Sequence, residues 1–321
     1  MKFLLASFSL LLVLPLTAEL IWTDPEKAAF ENPAFLVQGE YHKEGAAYGV
    51  QVVDLGDSKF EAYILEGGLP GAGWEPGKSR VRIEGGVIKT GDIELTGDKT
   101  KIAIKKQQLT LQMEDKQALT LPRIERKSPT LGAKPPKGAV VLFDGSTADG
   151  WERGVMENGL LKANHSMSKE KFKSFKAHIE FRTPYKPNAR GQKRGNSGIY
   201  HHGRWETQVL DSFALEGKQN ECGGIYSITK PKLNMCLPPL SWQTYDVDFT
   251  AATFNADGKR TAWPRITVKL NGVLIHDNVE LNKDQTAAAP LKGAIKDEPG
   301  PMFLQDHKNP VYFRNIWVLP K

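Results

Sequence analysis

Residues 205–211 carry the side chains whose types and spacing are best suited to chemistry. Apolar and polar side chains alternate there, as in a β-strand that buries one face. Glu206 and Gln208 therefore share one face, and Trp205 and Val209 lie on the other. If Trp205 and Val209 pack into the core, the face with Glu206 stands exposed. A carboxyl group in such a position can act as a general acid or base.

The glycine-rich segment before this strand supplies two histidines. With Ile199 packed inward, His202 falls on the opposite face and is the better groove candidate, whereas His201 is the poorer one. A β-bulge before His202 would reverse this assignment, so both histidines stay open. Gly198 leaves room for a ligand to approach the backbone, although a glycine beside a turn is as often structural.

Strand patterns dominate the rest of the chain, and helical periodicity is confined to residues 25–35. The strands predicted in the first part span residues 48–55, 59–65, 81–88, 101–104 and 109–113. In the second part, residues 175–181 and 245–249 alternate, Asn271-Gly272 predicts a hairpin turn, and residues 311–319 form a last strand.

These patterns predict an all-β protein, with a small β-rich N-terminal domain ahead of a C-terminal antiparallel β-sandwich or jelly roll. A stretch rich in Pro, Gly and Lys separates the two and is typical of a semi-rigid linker. We therefore expect domains at residues 19–126 and 139–321, joined by a linker at residues 127–138.

The N-terminus has the features of a secretory signal. Lys2 supplies a positive start, residues 3–16 are almost wholly apolar, and Ala18 is a small residue at a plausible cleavage point. The apolar run is shorter than a membrane-spanning helix, so we expect residues 1–18 to be a cleaved signal peptide; a buried N-terminal helix is the alternative. No cysteine follows for lipid attachment. The mature protein is therefore expected in the periplasm or outside the cell, without a membrane span.

Charge and composition argue against nucleic acid as a partner. The net charge is +6 and falls to +5 without Lys2. The positive side chains are scattered, although four of them gather at residues 186–194, a Gly/Pro/Asn-containing stretch without the interleaved aromatic rings of a nucleic-acid groove. This stretch is expected to be a solvated loop.

The two cysteines, Cys222 and Cys236, leave two alternatives open. An exported protein meets oxidising conditions, which would permit a disulfide. Two buried free thiols are nearly as compatible with the sequence, because spacing alone does not bring the two Cα atoms within bridging range.

Several segments of the second part resemble the 3-keto-disaccharide hydrolase domain family, a concanavalin-like sandwich group. The matching fragments, in the family's order, are LFDGS at 142–146 with GW at 150–151, GNSGIY at 195–200, WETQVLD at 205–211, LNGV at 270–273, and LQDH at 304–307 with FRNI at 313–316. The resemblance runs from about residue 140 to 321 and leaves the N-terminal domain without an assigned role.

This resemblance implies a sugar substrate already oxidised to a ketone at carbon 3. Such a ketone acidifies the proton on C2, which a Glu or His of near-neutral pKa could remove. The resulting enolate would need hydrogen-bond donors or a metal ion at its oxygen. Loss of the C1 substituent and addition of water would complete the cleavage, and direct hydrolysis is the alternative route.

The expected site draws on the matched fragments. Glu206, His202 and His307 are the candidates for acid/base or metal-binding groups, with Asp211 as an orienter or ligand. The side chains expected to hold sugar hydroxyls are Asn196, Tyr200, Gln208, Gln305 and Asp306. Asp211 and Asp306 each have a structural alternative, which is to cap a local turn. The spacing is not of a zinc type, so a divalent metal ion is only a possible cofactor.

Two kinds of function fit these features. One is an exported enzyme that cleaves 3-keto-glycosides or 3-keto-disaccharides, with a carbohydrate as its partner. The other is a non-catalytic carbohydrate-binding sandwich, because one fold serves both roles. The occurrence of Glu206, Asp211 and His307 in one domain favours the enzyme. An interaction protein of an exported complex is a third reading, and the oligomeric state is left unassigned.

Overall fold

Alternating apolar residues and frequent turns fold the chain almost entirely into antiparallel β-sheets. The computed structural model describes residues 19–89 and 92–321, so the predicted signal peptide at residues 1–18 lies outside the described residues. Within the described ranges, no helix is both long and apolar enough to cross a lipid bilayer. The predicted all-β fold is confirmed.

The first part of the chain begins with two short helices. The α-helix α1 spans Pro25–Glu31, and a 3-10 helix spans Pro33–Leu36. The single helix predicted over residues 25–35 is thus divided at Asn32, because a residue before proline is driven out of the helical region. Asn32 is extended, with φ −133° and ψ 95°.

Eleven strands follow within the described residues. They are β1 Gly39–Tyr41, β2 Tyr48–Asp54, β3 Phe60–Glu66, β4 Leu69–Pro70, β5 Gly73–Trp74, β6 Arg80–Glu84, β7 Val87–Lys89, β8 Asp92–Thr96, β9 Thr100–Lys105, β10 Gln108–Met113 and β11 Leu119–Ile124. The order β6-β3-β2-β1-β11-β10-β9-β8-β7 forms one nine-stranded sheet. The single strand predicted over residues 81–88 is wrong. Gly85 and Gly86 separate β6 from β7, with φ of +90° and +147° that glycine adopts readily.

The second part of the chain holds fifteen more strands. They are β12 Val140–Phe143, β13 Trp151–Glu152, β14 Val155–Glu157, β15 Leu160–Lys162, β16 Ser166–Phe172, β17 Phe175–Arg182, β18 Ser197–His201, β19 Trp205–Val209, β20 Gln243–Thr250, β21 Thr253–Phe254, β22 Arg260–Ala262, β23 Arg265–Leu270, β24 Val273–Glu280, β25 Gly300–Leu304 and β26 Tyr312–Pro320. A 3-10 helix spans Gly191–Lys193 between β17 and β18.

Two of the sheets in this part form the sandwich. One has eight strands, in the order β14-β15-β26-β17-β20-β23-β24 with β12 also paired to β26, and the other has the order β13-β16-β25-β18-β19. Aromatic rings from both sheets meet between them: Trp205 of β19 lies 5.8 Å from Phe249 of β20, centroid to centroid. Burying such large rings supplies much of the stabilisation of a sandwich core.

The outer face of the eight-stranded sheet is covered by the segment predicted as a linker. His178 and Glu180, which alternate with core residues along β17, are fully buried there. The Thr130 hydroxyl donates to Asp246 Oδ2 at 2.7 Å, and the Gly132 amide donates to Glu180. Part of residues 127–138 is therefore held against the sandwich rather than solvated. The predicted domain limits themselves stay a prediction.

Cys222 and Cys236 are buried free thiols in this structure. Cys222 Sγ lies 3.4 Å from the Tyr245 hydroxyl oxygen inside the core. We expect the native protein not to react with an aromatic disulfide reagent, and two thiols per chain to react after denaturation, because a buried thiol is inaccessible. Finding no reactive thiol in the denatured, unreduced protein would show a disulfide instead.

Candidate active site

The pairing of three strands brings the polar residues of one sheet face together. Across β25, β18 and β19, Tyr200 lies opposite both Phe303 and Glu206. In the next row Gly198 lies opposite Gln208. The backbone N–H of Gln305 donates to the Gly198 carbonyl at 2.9 Å. Tyr200, Glu206, Gln208 and Gln305 therefore project from the same face of the five-stranded sheet.

This face is covered, not exposed as predicted. Glu206 is 2% exposed and Gln208 is 1% exposed. Residues 223–226 run beside β19, where the backbone N–H of Gln208 donates to the Gly224 carbonyl at 2.9 Å. Ala289, from the long loop before β25, packs against Tyr200. Strand periodicity assigns a residue to a face but gives no information on which loops fold over it.

Glu206 is the titratable centre of this face. Its carboxylate lies directly above Gly198, where a Cβ atom would stand 2.2 Å from Glu206 Oε1. Only glycine leaves space for the carboxylate at that point. Burial raises the pKa of Glu206 to about 7, and hydrogen bonding from Tyr200 partly offsets this rise. A carboxyl group with a pKa near 7 exchanges a proton readily at neutral pH, as a general acid or base must.

Tyr200 connects Glu206 to Gln305. The Gln305 side-chain amide donates to the Tyr200 hydroxyl oxygen at 3.1 Å. Burial, together with the neighbouring Glu206 carboxylate, raises the pKa of Tyr200 well above its ordinary value. The hydroxyl therefore stays protonated and available as a donor at neutral pH.

The side chain of Gln208, on the same sheet face as Glu206, belongs to a relay of three side-chain amides whose direction is fixed by one backbone carbonyl. Gln192 Nε2 donates to the Asn220 carbonyl at 2.8 Å. Because that carbonyl can only accept, Gln192 Oε1 must face the other way. There it accepts from Asn196 Nδ2 at 2.8 Å and from Gln208 Nε2 at 3.2 Å.

The relay leaves two buried acceptors without a donor. Asn196 Oδ1 and Gln208 Oε1 make no hydrogen bond to any of the described residues. An unpaired buried polar atom costs about 1–3 kcal/mol, so its retention calls for an explanation. Two carbonyl oxygens in this position suit a ligand that presents two hydroxyl groups.

Neither His201, the last residue of β18, nor His202 after it hydrogen-bonds to Glu206. The strand is regular through His201, whose Nε2 lies 2.9 Å from the Thr207 hydroxyl. His202 follows with a φ of +54°, which turns its ring back between the sheets, 4.6 Å from the Phe249 ring. Its Nε2 lies 2.7 Å from the Lys173 carbonyl oxygen. Burial lowers the pKa of His202 to about 4, so it is neutral at pH 7.

Asp211, Asp306 and His307 make no side-chain hydrogen bond to Glu206 in the part of the chain that the structure describes. Asp211 Oδ2 accepts from Arg194 Nε at 2.7 Å, and Asp211 Oδ1 accepts from the Phe213 amide at 3.3 Å, which is the turn-capping alternative. Asp306 likewise caps a turn, accepting from the Lys308 amide at 2.7 Å, and His307 is exposed in that turn. Five of the nine expected residues therefore lie in one region of this sheet: Glu206, Asn196, Tyr200, Gln208 and Gln305.

Two residues of this region were missed by sequence reasoning. Gln192 lies in a 3-10 helix within residues 186–194, whose charges predict a solvated loop; that prediction is wrong, because Lys186 and Arg194 are buried. His165 has a φ of +51° at a turn and stacks on Phe303, with 5.9 Å between ring centroids. Neither residue belongs to a periodic pattern, so no local signal marks it. Among the described residues, no group of three or more His, Cys, Asp or Glu side chains is placed to hold a metal ion.

The fold and this face define a class, an antiparallel concanavalin-like sandwich with a candidate site on its five-stranded sheet. Residues 138–319 match the model of the 3-keto-alpha-glucoside-1,2-lyase-like domain. The chain belongs to that family, as its motifs predicted.

The chain matches solved structures, of which one has a similar fold. A crystal structure of a candidate glycosyl hydrolase from Parabacteroides distasonis ATCC 8503 is 33% identical in sequence with a TM-score of 0.53, and the match covers 58% of this chain and 85% of that one. A second from the same organism is 18% identical, with a TM-score of 0.42 and coverage of 58% and 94%. No protein with a curated description matches the chain.

Proposed function

We propose that this protein cleaves 3-keto-glycosides, with Glu206 as the group that takes and returns a proton. The observation that carries the proposal is the buried Glu206 carboxyl, whose pKa is raised to about 7, within a domain of the 3-keto-alpha-glucoside-1,2-lyase-like family. Beside it, Tyr200 supplies a hydroxyl donor and the amide relay supplies two free acceptors.

The step we propose begins with removal of the C2 proton by the Glu206 carboxylate. The electron pair of the C2–H bond forms the C1–C2 double bond, and the C1–O bond to the aglycone breaks as that oxygen gains a proton. Water then adds to C1 and a proton returns to C2, so the sum is glycoside plus water to 3-keto-sugar plus alcohol. This route does not need the opposed carboxylate pair of ordinary glycosidases.

Turnover of the purified protein tests the proposal. A 3-keto-glucoside should release its aglycone, whereas the glucoside with an unoxidised C3 hydroxyl should not, because its C2 proton is not acidified. Binding of the 3-keto-glucoside without release would overturn the enzyme and favour the carbohydrate-binding module. Release from both compounds at equal rates would indicate an ordinary glycosidase mechanism.

Gln192 should act as a positioning residue in this site. Gln192→Leu removes the acceptor of Asn196 Nδ2, so the Asn196 carbonyl oxygen loses its fixed direction, while Gln208 Nε2 keeps only its bond to the Asn220 carbonyl at 3.3 Å. We expect KM for the 3-keto-glucoside to rise roughly tenfold, the worth of one or two hydrogen bonds, with a smaller change in kcat. The matched control is Gln219→Leu on an exposed neighbouring loop. An unchanged KM in Gln192→Leu would remove the relay from the binding site.

We also propose that the protein is exported. The apolar run at residues 3–16 and the small Ala18 support cleavage by a signal peptidase. N-terminal sequencing of protein from the periplasm or medium of an expressing bacterium should begin at or near Glu19. Retention of Met1 in the cytoplasmic fraction alone would contradict export.

A further inference from the structure

A cavity of about 410 Å³ lies at the junction of the two parts of the chain, away from Glu206. Its apolar wall includes Phe35 of the 3-10 helix and Leu240 and Trp242 of the loop before β20. Its polar wall includes Gln38, ahead of β1, and Arg123 of β11. The volume is within the range of small-molecule sites, and one apolar wall facing a few polar groups is their usual composition.

The side-chain amide of Gln38, in the polar wall, has an unpaired donor. Gln38 Oε1 accepts from the Asp54 amide at 3.1 Å and from Arg194 Nη2 at 3.3 Å. Since both partners are donors, the oxygen must face them, and Nε2 is left on the other side. Gln38 is 1% exposed, and its Nε2 makes no hydrogen bond to the described residues.

The cavity wall carries more cationic than anionic side chains, although Arg314 is paired with Glu180 at 2.7 Å. The two carboxylates of its wall are already paired, Glu40 with Arg126 at 2.6 Å and Glu125 with Arg123 at 2.9 Å. Arg123 uses only Nε and Nη1 in hydrogen bonds to the described residues, which leaves Nη2 for a ligand.

The aromatic wall is flanked by two further guanidinium groups. Arg314 and Arg182 lie 4.0 and 4.8 Å from the Trp242 ring centroid. Arg182 Nε is buried and has no hydrogen-bond partner among the described residues. Burial lowers the pKa of Arg182, the Asp24 carboxylate partly offsets this, and the nearby Arg314 adds a smaller lowering. An anion beside Gln38 would give its unpaired donor a charged acceptor.

We infer that this cavity binds a ring compound that carries a carboxylate, at a site distinct from the proposed active site. The ring lies against Trp242 and Phe35, and its carboxylate accepts from Gln38 Nε2 and Arg123 Nη2. Two sources share this chemistry: a sugar acid, and an aromatic acid.

Calorimetric titration of the full chain distinguishes the two sources. Glucuronate and 4-hydroxybenzoate are the probes, with glucose and phenol as their neutral counterparts. We expect one acid to bind at least tenfold more tightly than its neutral counterpart. Binding of glucuronate assigns the site to sugar acids, and binding of 4-hydroxybenzoate assigns it to aromatic acids. If neither acid binds more tightly than its counterpart, the inference fails.

A matched variant tests the role of Gln38. Gln38→Glu keeps an oxygen for Asp54 and Arg194 but replaces the Nε2 donor with a charged acceptor. It should fold, with an unchanged far-ultraviolet circular dichroism spectrum, and lose acid binding at least tenfold. Arg123→Met should do the same, while Arg265→Met, an exposed arginine on β23, should bind like the wild type. Wild-type affinity in both Gln38→Glu and Arg123→Met would overturn the inference, and turnover of a 3-keto-glucoside need not change in either.

Discussion

Replacing Glu206 by glutamine should lower the turnover of a 3-keto-glucoside by roughly 10²–10⁴-fold, the usual contribution of a general acid or base. Glutamine keeps the size of the side chain and a hydrogen bond to Tyr200, so the site should keep its shape. The loss should appear in kcat, because the proton is transferred in the transition state and not in the bound ground state. The control is Glu170→Gln, an exposed glutamate on β16 of the same sheet.

The same variant should change how stability depends on pH. Burial raises the folded pKa of Glu206 to about 7 from an ordinary 4.5, so the folded state binds the proton more tightly than the unfolded state. The free energy of unfolding of the wild type should therefore fall as the pH rises from 4.5 through 7, by up to roughly 3 kcal/mol.

Glu206→Gln lacks this ionisation and should lack this slope. Near pH 5 the two proteins should be similar in stability, and at pH 8 the variant should be the more stable. Urea unfolding at both pH values measures the difference, with Glu170→Gln again as the control. Equal stability of Glu206→Gln and the wild type at pH 8 would mean that the carboxyl is not buried in solution.

Removing the carboxylate of Asp211 should lower the free energy of unfolding of the protein rather than the rate of its reaction. Asp211 and Arg194 form an ion pair with side chains 1% and 7% exposed. Arg194 also donates to the Asp54 carbonyl at 3.3 Å and to Gln38, which tie it to the first sheet. Breaking a buried pair on one side typically costs about 3–5 kcal/mol, because the remaining charge is uncompensated. We expect Asp211→Ala to lose stability of that order in urea.

Two comparisons separate this structural role from a catalytic one. Glu216→Ala breaks an exposed pair with Lys218 and should change stability by less than about 1 kcal/mol. The double variant Arg194→Met, Asp211→Leu should recover part of the stability lost in Asp211→Ala. If the folded fraction of Asp211→Asn had lost most of its turnover while keeping its stability, Asp211 would belong to the active site after all.

Local sequence patterns predicted the elements well where the signal is itself local. The hairpin at Asn271-Gly272 joins β23 to β24, and these residues take φ of +52° and +80°, as a type I′ turn requires. The alternation of residues 175–181 also placed Phe175, Ile179 and Phe181 in the sandwich core. In both cases the determinant lies within a few residues along the chain.

The parts that were not predicted depend on contacts between distant residues. Glu206 is buried by loops, and a strand pattern does not show which loop covers which face. The Gln192 relay joins residues up to 28 positions apart through the Asn220 carbonyl. His202 leaves its expected face because of a single positive φ, which histidine adopts less readily than glycine.

Solvent deuterium at sugar carbon 2 tests most directly whether Glu206 moves a proton there. The protein is incubated with a 3-keto-glucoside in heavy water, and the released 3-keto-glucose is examined by mass spectrometry and NMR, alongside an enzyme-free control for spontaneous exchange. We predict one deuterium at C2 of the sugar released by the wild type, and loss of both release and labelling in Glu206→Gln. Release of sugar without deuterium at C2, or undiminished labelling by Glu206→Gln, would contradict the proposed role of Glu206.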